Sequence, residues 1–245
     1  MTELIINKDF IQEIINISDE AGKSVMSIYN NQSAEYKIKN DNTPLTKADI
    51  ASHTIIVNRL KDLTPSVPII SEESCDIPFD VRSTWKEYWL VDPLDGTKEF
   101  IKKNGEFTVN IALIENNKPV IGIIYLPAKS LLYYAKQNNG SFRINTIDRL
   151  ESLHQAQNIK VNKNPEGDKV RIIGSRSHSD GKTKEWILNN FNSYTKVISG
   201  SSLKFCKIAE GKADIYPRFG PTSEWDIAAG HIILKEAGGK LLTLD

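Results

Sequence analysis

The sequence predicts a layered α/β fold, and three observations support this prediction. Near the N-terminus, apolar residues recur every three or four positions between Phe10 and Ile28, as in a long amphipathic helix. Between residues 107 and 144, four apolar segments follow one another with Asn- and Gly-containing turns between them, which indicates an antiparallel sheet. Beyond residue 170, strand-like and helix-like segments alternate, as they do in α/β layers.

The N-terminal elements come first along the chain. After the first helix, the polar residues 31–45 are predicted to form a loop or a hairpin. A second helix begins after Thr46, which forms a capping-box pattern with Asp49, and capping alone would explain that aspartate. A short strand over residues 67–71 follows this helix.

The remaining elements divide the chain into two halves. The central strands are predicted at residues 107–114, 120–126, 131–136 and 141–144. Later strands are predicted at residues 170–174, 194–198 and 213–217, and helices at 182–191, 203–210 and 225–237. Because residues 148–168 are polar and mixed, we expect a boundary there. It separates an N-terminal α+β half (1–155), which would hold the metal and phosphate site, from a C-terminal α/β half (156–245).

Composition and charge exclude several classes of protein. The 245 residues include 31 Lys and Arg and 31 Asp and Glu, so bulk charge does not favour a coat on nucleic acid or on a membrane surface. The two cysteines, Cys75 and Cys206, lack metal-type spacing and favour a reducing compartment. No apolar run is long enough to span a bilayer and no secretory leader is apparent, so we expect a cytoplasmic protein.

Acidic residues follow the ends of predicted strands. The apolar run Tyr88–Val91 ends at Asp92, and Asp95 comes three residues later. Carboxylates this close repel each other unless a cation or a proton lies between them. Glu72 also follows a strand, and Asp226 opens the last helix, where an acid suits the helix dipole as well. Carboxylate ligands without His or Cys favour Mg²⁺ or Mn²⁺ over zinc.

Three segments resemble the signatures of the inositol monophosphatase superfamily, whose members are magnesium-dependent, lithium-sensitive phosphomonoesterases. These segments are Glu72-Glu73, Asp92-Pro93-Leu94-Asp95-Gly96-Thr97 and Trp225-Asp226. Longer matches over residues 92–110, 200–206 and 216–226 resemble its CysQ branch, the bacterial 3′(2′),5′-bisphosphate nucleotidases. The resemblance runs from about Phe10 to the last residue. It implies a layered α-β-α-β-α sandwich of the inositol monophosphatase and fructose-1,6-bisphosphatase type.

The end of the chain departs from this family pattern. Family members usually continue into a further strand beyond Asp245. We therefore expect either a truncated chain or a short protein, and in both cases an exposed sheet edge that bears on stability or oligomeric state.

The resemblance implies a role for each motif residue. The metals would be held by Glu72, Asp92, Asp95, Asp226 and the main-chain carbonyl of Leu94, with Asp92 bridging two of them. It implies two or three Mg²⁺ ions, with Mn²⁺ as a substitute and with Ca²⁺ and Li⁺ as inhibitors. Asp49 and Thr97 would orient or deprotonate the attacking water, and Glu73 would support a further metal or water.

The resemblance also implies the substrate contacts. The backbone N–H groups of Gly96 and Thr97 would hold the scissile phosphate. The nucleotide would be surrounded by Ser175, His178, Gly200, Ser201, Lys204 and Arg218, and the substrate would also meet Glu72, Leu94, Asp95 and Asp226. The cations Lys204 and Arg218 suit the second phosphate, although plain solvation would explain them and His178 as well.

The implied activity is Mg²⁺-dependent hydrolysis of the 3′-phosphate of adenosine 3′,5′-bisphosphate (PAP), with the sulfated analogue PAPS as a further substrate and a role in sulfur assimilation. An activity on inositol 1-phosphate or fructose 1,6-bisphosphate stays open. A non-catalytic nucleotide-binding regulator is the alternative of a different class, and the Asp49–Thr97 pair argues against it. We expect a monomer or homodimer that does not bind nucleic acid or span a membrane. The family resemblance leaves peripheral contact with the cytoplasmic face of the inner membrane open, but no basic amphipathic helix supports it.

Overall fold

The elements of the fold are taken from a computed structural model, which describes residues 6–31, 36–39, 44–145, 153–163, 170–176 and 181–243. The helices are α1 (Lys8–Asn30), α2 (Lys47–Leu63), α3 (Phe79–Arg82), α4 (Thr97–Ile101), α5 (Gly181–Asn190), α6 (Leu203–Ala209) and α7 (Glu224–Glu236). The strands are β1 (Tyr36–Ile38), β2 (Pro44–Thr46), β3 (Ile69–Ser71), β4 (Glu87–Asp95), β5 (Thr108–Glu115), β6 (Lys118–Leu126), β7 (Leu131–Lys136), β8 (Gly140–Asn145), β9 (Gln157–Ile159), β10 (Val170–Ser175) and β11 (Tyr194–Ser199).

A sheet of seven strands forms the centre, in the order β3-β4-β5-β6-β7-β8-β9. β3 and β4 are parallel, and all the other neighbours are antiparallel. The four consecutive strands predicted from the hairpin signals are β5 to β8, and their antiparallel pairing is confirmed. The sequence did not predict β9, which has three residues, only one of them buried, and so shows no readable alternation.

Helices cover both faces of this sheet. α1 and α2 pack on one face through a buried cluster that includes Ile14, Trp89 and Ile111. α6 and α7 cover the other face, where Cys206 and Ile232 are buried. Burial of this apolar surface is the main stabilisation of such a layered fold. The side chain of Cys206 is fully buried in this layer.

A second, two-stranded sheet lies beyond α6 and α7. Its strands β10 and β11 are parallel, and α5 comes between them in sequence, as in a βαβ unit. Ile173 of β10 packs in one cluster with Phe205 of α6 and Leu234 of α7. The predicted layered α/β fold is therefore confirmed.

Two local predictions differ from the structure or are refined by it. The strand predicted at residues 213–217 is reduced to a single bridge between Ile215 and Ile172, because Asp214 turns back to bind Arg171 and Pro217 has no N–H to continue a ladder. The short helix α4, which begins directly after Gly96, was not predicted. The predicted loop or hairpin at residues 31–45 is a hairpin, since β1 and β2 pair antiparallel. No helix within the described part of the chain has the length and apolarity needed to cross a membrane.

Candidate metal and phosphate site

Carboxylates from three elements converge at one end of the central sheet. Asp92 and Asp95 belong to β4, and Asp226 lies in the first turn of α7. Each offers an oxygen, and these oxygens all lie within 4.8 Å of one another. Glu72 follows β3, which is parallel to β4, and its backbone N–H donates to the carbonyl of Val91 at 3.0 Å. The structure therefore places Glu72 next to the end of β4, which carries Asp92 and Asp95.

Burial and mutual repulsion act on these acids together. Burial raises the pKa of Asp92 well above its ordinary value, and the charges of Glu72 and Asp95 raise it further. Burial also raises the pKa of Asp95 to about 7, and the charge of Asp226 adds to this while Lys204 opposes it. The pKa of Asp226 is raised mainly by burial. A positive charge among the carboxylates would remove this penalty.

The donor set fits a divalent metal ion. Asp92 Oδ1 accepts a hydrogen bond from the backbone N–H of Leu94 at 3.1 Å. Its other oxygen, Oδ2, is buried and has no hydrogen-bond partner among the described residues, which is costly for an isolated carboxylate oxygen. All the donors of the cluster are oxygens, which Mg²⁺ and similar hard cations prefer. The three carboxylates thus form a cluster able to hold a metal ion.

The end of β4 is shaped by an irregularity in the sheet. Its pairing with β5 shifts register between Asp92 and Asp95, so that both carboxylates reach the same side. The carbonyl of Pro93 between them accepts a hydrogen bond from Ser52 Oγ of α2 at 2.7 Å. Gly96 follows with a φ of 90°, and a Cβ on it would lie 3.1 Å from the carbonyl oxygen of Glu106. A glycine is therefore required at this turn.

Asp49 caps α2 and also contacts Thr97. One oxygen, Oδ2, accepts from the backbone N–H and the hydroxyl of Thr46 at 2.7 and 2.6 Å, which completes the capping box. The other, Oδ1, accepts from the Thr97 hydroxyl at 3.3 Å, and that hydroxyl also lies 3.3 Å from the carbonyl oxygen of Leu94. Asp49 is buried, and burial raises its pKa although the hydrogen bonds from Thr46 oppose this.

Lys39 is a site residue that the sequence analysis missed. Its Nζ donates to Glu72 Oε1 at 3.0 Å and to Glu73 Oε1 at 2.6 Å. Burial opposes the charge of Lys39, but these two contacts prevail and raise its pKa. Burial raises the pKa of Glu73 despite the nearby ammonium. Lys39 directly follows the three-residue exposed strand β1 and belongs to no motif, so no sequence signal identified it.

The turn before α6 binds directly to the acidic cluster. The backbone N–H of Ser202 donates to Asp95 Oδ2. Ser202 Oγ donates to Asn110 Oδ1 at 2.7 Å and lies 2.8 Å from the hydroxyl of Thr108. The backbone N–H of Gly200 donates to Glu106 Oε2 at 2.8 Å. The sequence analysis identified Gly200 and Ser201 but missed these supporting side chains.

The two predicted cations differ in their surroundings. Lys204 is buried, its Nζ donates to the carbonyl of Ser201, and it lies 5.3 Å from the ring centroid of Tyr216. Burial lowers the pKa of Lys204, against the charge of Asp95. Lys204 is therefore not a solvent-exposed surface charge. The guanidinium of Arg218 instead contacts its own loop, at 3.1 Å from Thr222 Oγ1.

The loop after β10 is described only in part. Ser175 is the last residue of β10, and the backbone N–H of Arg176 donates to the carbonyl of Ser199 at 3.2 Å. This hydrogen bond brings the end of β10 next to the turn at Gly200. The predicted contact of His178 lies outside the described residues.

Comparison with known proteins shows that nearly the whole chain is similar to one family. Residues 7–245 match the inositol monophosphatase family. The 3′(2′),5′-bisphosphate nucleotidase CysQ of Salmonella typhimurium is 45% identical over 230 residues, which is 93% of this chain and 88% of that protein. The crystal structure of CysQ from Bacteroides thetaiotaomicron superposes with a TM-score of 0.84 at 39% identity, covering 96% of this chain and 89% of that one. An inositol monophosphatase from Anabaena superposes with a TM-score of 0.74 at 26% identity, covering 95% and 83%.

Proposed function

The chain belongs to the inositol monophosphatase family, and we propose from this premise that it is a Mg²⁺-dependent phosphoric monoester hydrolase that converts adenosine 3′,5′-bisphosphate to AMP and phosphate. The observation that carries the proposal is the buried cation Lys204 beside the carboxylate cluster. This arrangement suits a substrate with two phosphates, one at the cluster and one at the cation. The similarity to a bisphosphate nucleotidase at 45% identity supports the same substrate class.

The metal-holding residues would be Glu72, Asp92, Asp95, Asp226 and the carbonyl of Leu94. They would take two or three ions. Bound Mg²⁺ would neutralise charge on the phosphate and lower the pKa of a nearby water. Mn²⁺ would substitute for Mg²⁺, while Ca²⁺ and Li⁺ would inhibit.

Thr97 would orient the attacking water. Its hydroxyl hydrogen would be directed to Asp49 Oδ1 rather than to the equally distant carbonyl oxygen of Leu94, which would leave the oxygen lone pairs to accept a hydrogen bond from the water. Asp49 would take up a proton through the same hydroxyl as the reaction proceeds. Glu73, beside Glu72, would support a further water or metal. The backbone N–H groups of Gly96 and Thr97 would bind the scissile phosphate.

The C-terminal half (156–245) would select the substrate, and the N-terminal half (1–155) would carry the reaction. Lys204 and Arg218 would bind the second phosphate, and the nucleotide would lie against Ser175, His178, Gly200 and Ser201. Arg218 would have to leave its contacts with Thr222 and Pro221 to do so. The sulfated analogue PAPS would fit the same contacts. We infer a cytoplasmic enzyme, monomeric or homodimeric, that clears the bisphosphate formed in sulfur assimilation.

Phosphate release from three substrates tests this proposal. We expect kcat/KM to be highest for adenosine 3′,5′-bisphosphate, lower for inositol 1-phosphate and fructose 1,6-bisphosphate, and abolished by EDTA. Asp95→Asn should abolish activity as well. A higher kcat/KM for inositol 1-phosphate would refute the role of Lys204 and Arg218, and undiminished activity of Asp95→Asn would refute the metal assignment. Tight nucleotide binding in calorimetry without turnover would instead indicate a regulator.

A further inference from the structure

Glu106 is a buried carboxylate that none of the proposed catalytic steps uses. It lies between α4 and β5, and its carboxylate accepts three hydrogen bonds. Arg176 donates from Nε to Oε2 at 2.9 Å and from Nη2 to Oε1 at 3.1 Å, in a bidentate ion pair. The backbone N–H of Gly200 donates to Oε2 at 2.8 Å. The carboxylate thus joins the end of β10 to the turn before α6.

Close packing adds to these hydrogen bonds. A Cβ on Gly200 would lie 2.7 Å from the carbonyl oxygen of Glu106. A Cβ on Gly96, on the other side, would lie 3.1 Å from the same oxygen. The backbone of Glu106 therefore packs against the turn at Gly96 and the turn at Gly200, with no room for a side chain on either glycine.

The turn at residues 200–202 is held separately at its two ends. At the far end, Ser202 is fixed by Thr108 and Asn110 and donates to Asp95. At the near end, Gly200 is fixed by Glu106. Between them, Ser201 has a positive φ of 47°, and its carbonyl accepts the hydrogen bond from Lys204 Nζ. Loss of the Glu106 contact would therefore move Gly200 and Ser201 while the Ser202 contact to Asp95 remains.

We propose that Glu106 is a positioning residue that holds the Gly200–Ser201 backbone and Arg176 in place, and thereby orients Lys204 toward the second phosphate of a nucleotide bisphosphate. The nucleotide bisphosphate in this proposal is taken from the function proposed above. Among the described residues, the hydrogen bonds of the Glu106 carboxylate come from Arg176 and Gly200, and none involves the carboxylate cluster. Glu106 should therefore affect the affinity for the second phosphate and leave the chemical step unchanged.

Asp214 offers a matched control. It accepts from Arg171 in the same way, with Nε at 3.0 Å, Nη2 at 2.7 Å and the backbone N–H at 2.8 Å. Arg171 lies near the start of β10, whereas Arg176 follows its end. The variants Glu106→Gln and Asp214→Asn thus remove the charge from equivalent ion pairs at opposite ends of one strand. Only the first pair contacts the turn at Gly200.

Steady-state kinetics on two substrates tests the proposal. Glu106→Gln should raise KM for adenosine 3′,5′-bisphosphate about tenfold, the equivalent of one weakened charge-assisted contact. Its kcat, and its KM for 3′-AMP, which lacks the second phosphate, should stay within about twofold. Asp214→Asn should change neither KM. Equal KM changes for the two substrates, or the same shift in both variants, would overturn the proposal.

Amide hydrogen exchange separates this inference from the proposed function. Glu106→Gln should speed exchange over residues 200–204, and Asp214→Asn should not. If the wild type does not hydrolyse the bisphosphate, the proposed function fails, and the exchange result alone decides whether Glu106 holds the turn. If Glu106→Gln does not fold, Arg176→Met replaces it, because that side chain is 44% exposed. A smaller KM rise in the same direction is then expected, and no rise would overturn the proposal.

Discussion

Asp95→Asn should stabilise the metal-free protein. Folding buries the Asp95 carboxylate beside Asp226, and burial raises its pKa from 3.8 to about 7. The folded state therefore holds a proton on this group that the unfolded chain releases near pH 4. Because the pKa of Asp95 is higher in the folded state, the proton that it holds stabilises the folded protein. This stabilisation is complete below about pH 4 and is lost as the pH rises through about 7.

The size of the effect follows from this difference. About three pKa units correspond to about 4 kcal/mol, by which the ionised Asp95 would destabilise the folded protein above pH 7. An asparagine carries no charge and keeps an oxygen to accept the backbone N–H of Ser202. Up to about 4 kcal/mol of added stability is therefore expected at about pH 8 without metal, with little change at about pH 4.

Urea unfolding in EDTA at these two pH values measures this effect, followed by a repeat with Mg²⁺. Wild type should gain stability from Mg²⁺ at high pH, and Asp95→Asn should gain much less. Asp214→Asn is the matched control, because the hydrogen bonds from Arg171 lower the pKa of Asp214 and its loss should destabilise the protein at high pH. An Asp95→Asn variant less stable than wild type in EDTA at high pH would refute the reasoning.

Three further substitutions test other parts of the site. Thr97→Val should lower kcat about 100-fold with little change in KM, because the attacking water loses its orienting hydroxyl. Thr97→Ser keeps the hydroxyl and should retain most activity. Equal losses in both variants would exclude this role of the hydroxyl. Gly200→Ala should cost about 1–3 kcal/mol in urea unfolding, because its Cβ would meet the Glu106 carbonyl at 2.7 Å. Gly174→Ala should cost much less, because no atom of the described residues outside its chain neighbours lies within 4 Å of the added Cβ, and equal losses would contradict this packing. Lys204→Met should raise KM for adenosine 3′,5′-bisphosphate and leave KM for 3′-AMP unchanged; a parallel rise in both would argue against a second-phosphate contact.

The layers of the fold could be predicted because their signals are local. Periodicity identified α1, and Asn and Gly turns identified the hairpins around β6 and β7. The strand predicted at residues 213–217 was wrong because a tertiary contact, the ion pair between Arg171 and Asp214, fixes that segment. A short apolar segment carries no information about such a distant partner.

The site residues also divide into those that local sequence signals predicted and those that they did not. Asp92 and Asp95 were predicted as candidate metal ligands because they follow the end of a predicted strand. Asp49 and Asp226 were sufficiently explained as helix caps, and only the family resemblance connected them to the cluster. The structure shows that Asp49 is a cap and a partner of Thr97 at once. The positioning role of Glu106 could not be predicted from the sequence, because its ion pair with Arg176 spans 70 positions of the chain.

The product formed from adenosine 3′,5′-bisphosphate tests the central claim most directly. The wild-type protein is incubated with this substrate in Mg²⁺ and in EDTA, and the nucleotide products are separated by chromatography. We expect 5′-AMP and one equivalent of phosphate in Mg²⁺, and unchanged substrate in EDTA. Formation of 3′-AMP, or equal turnover in EDTA, would contradict it.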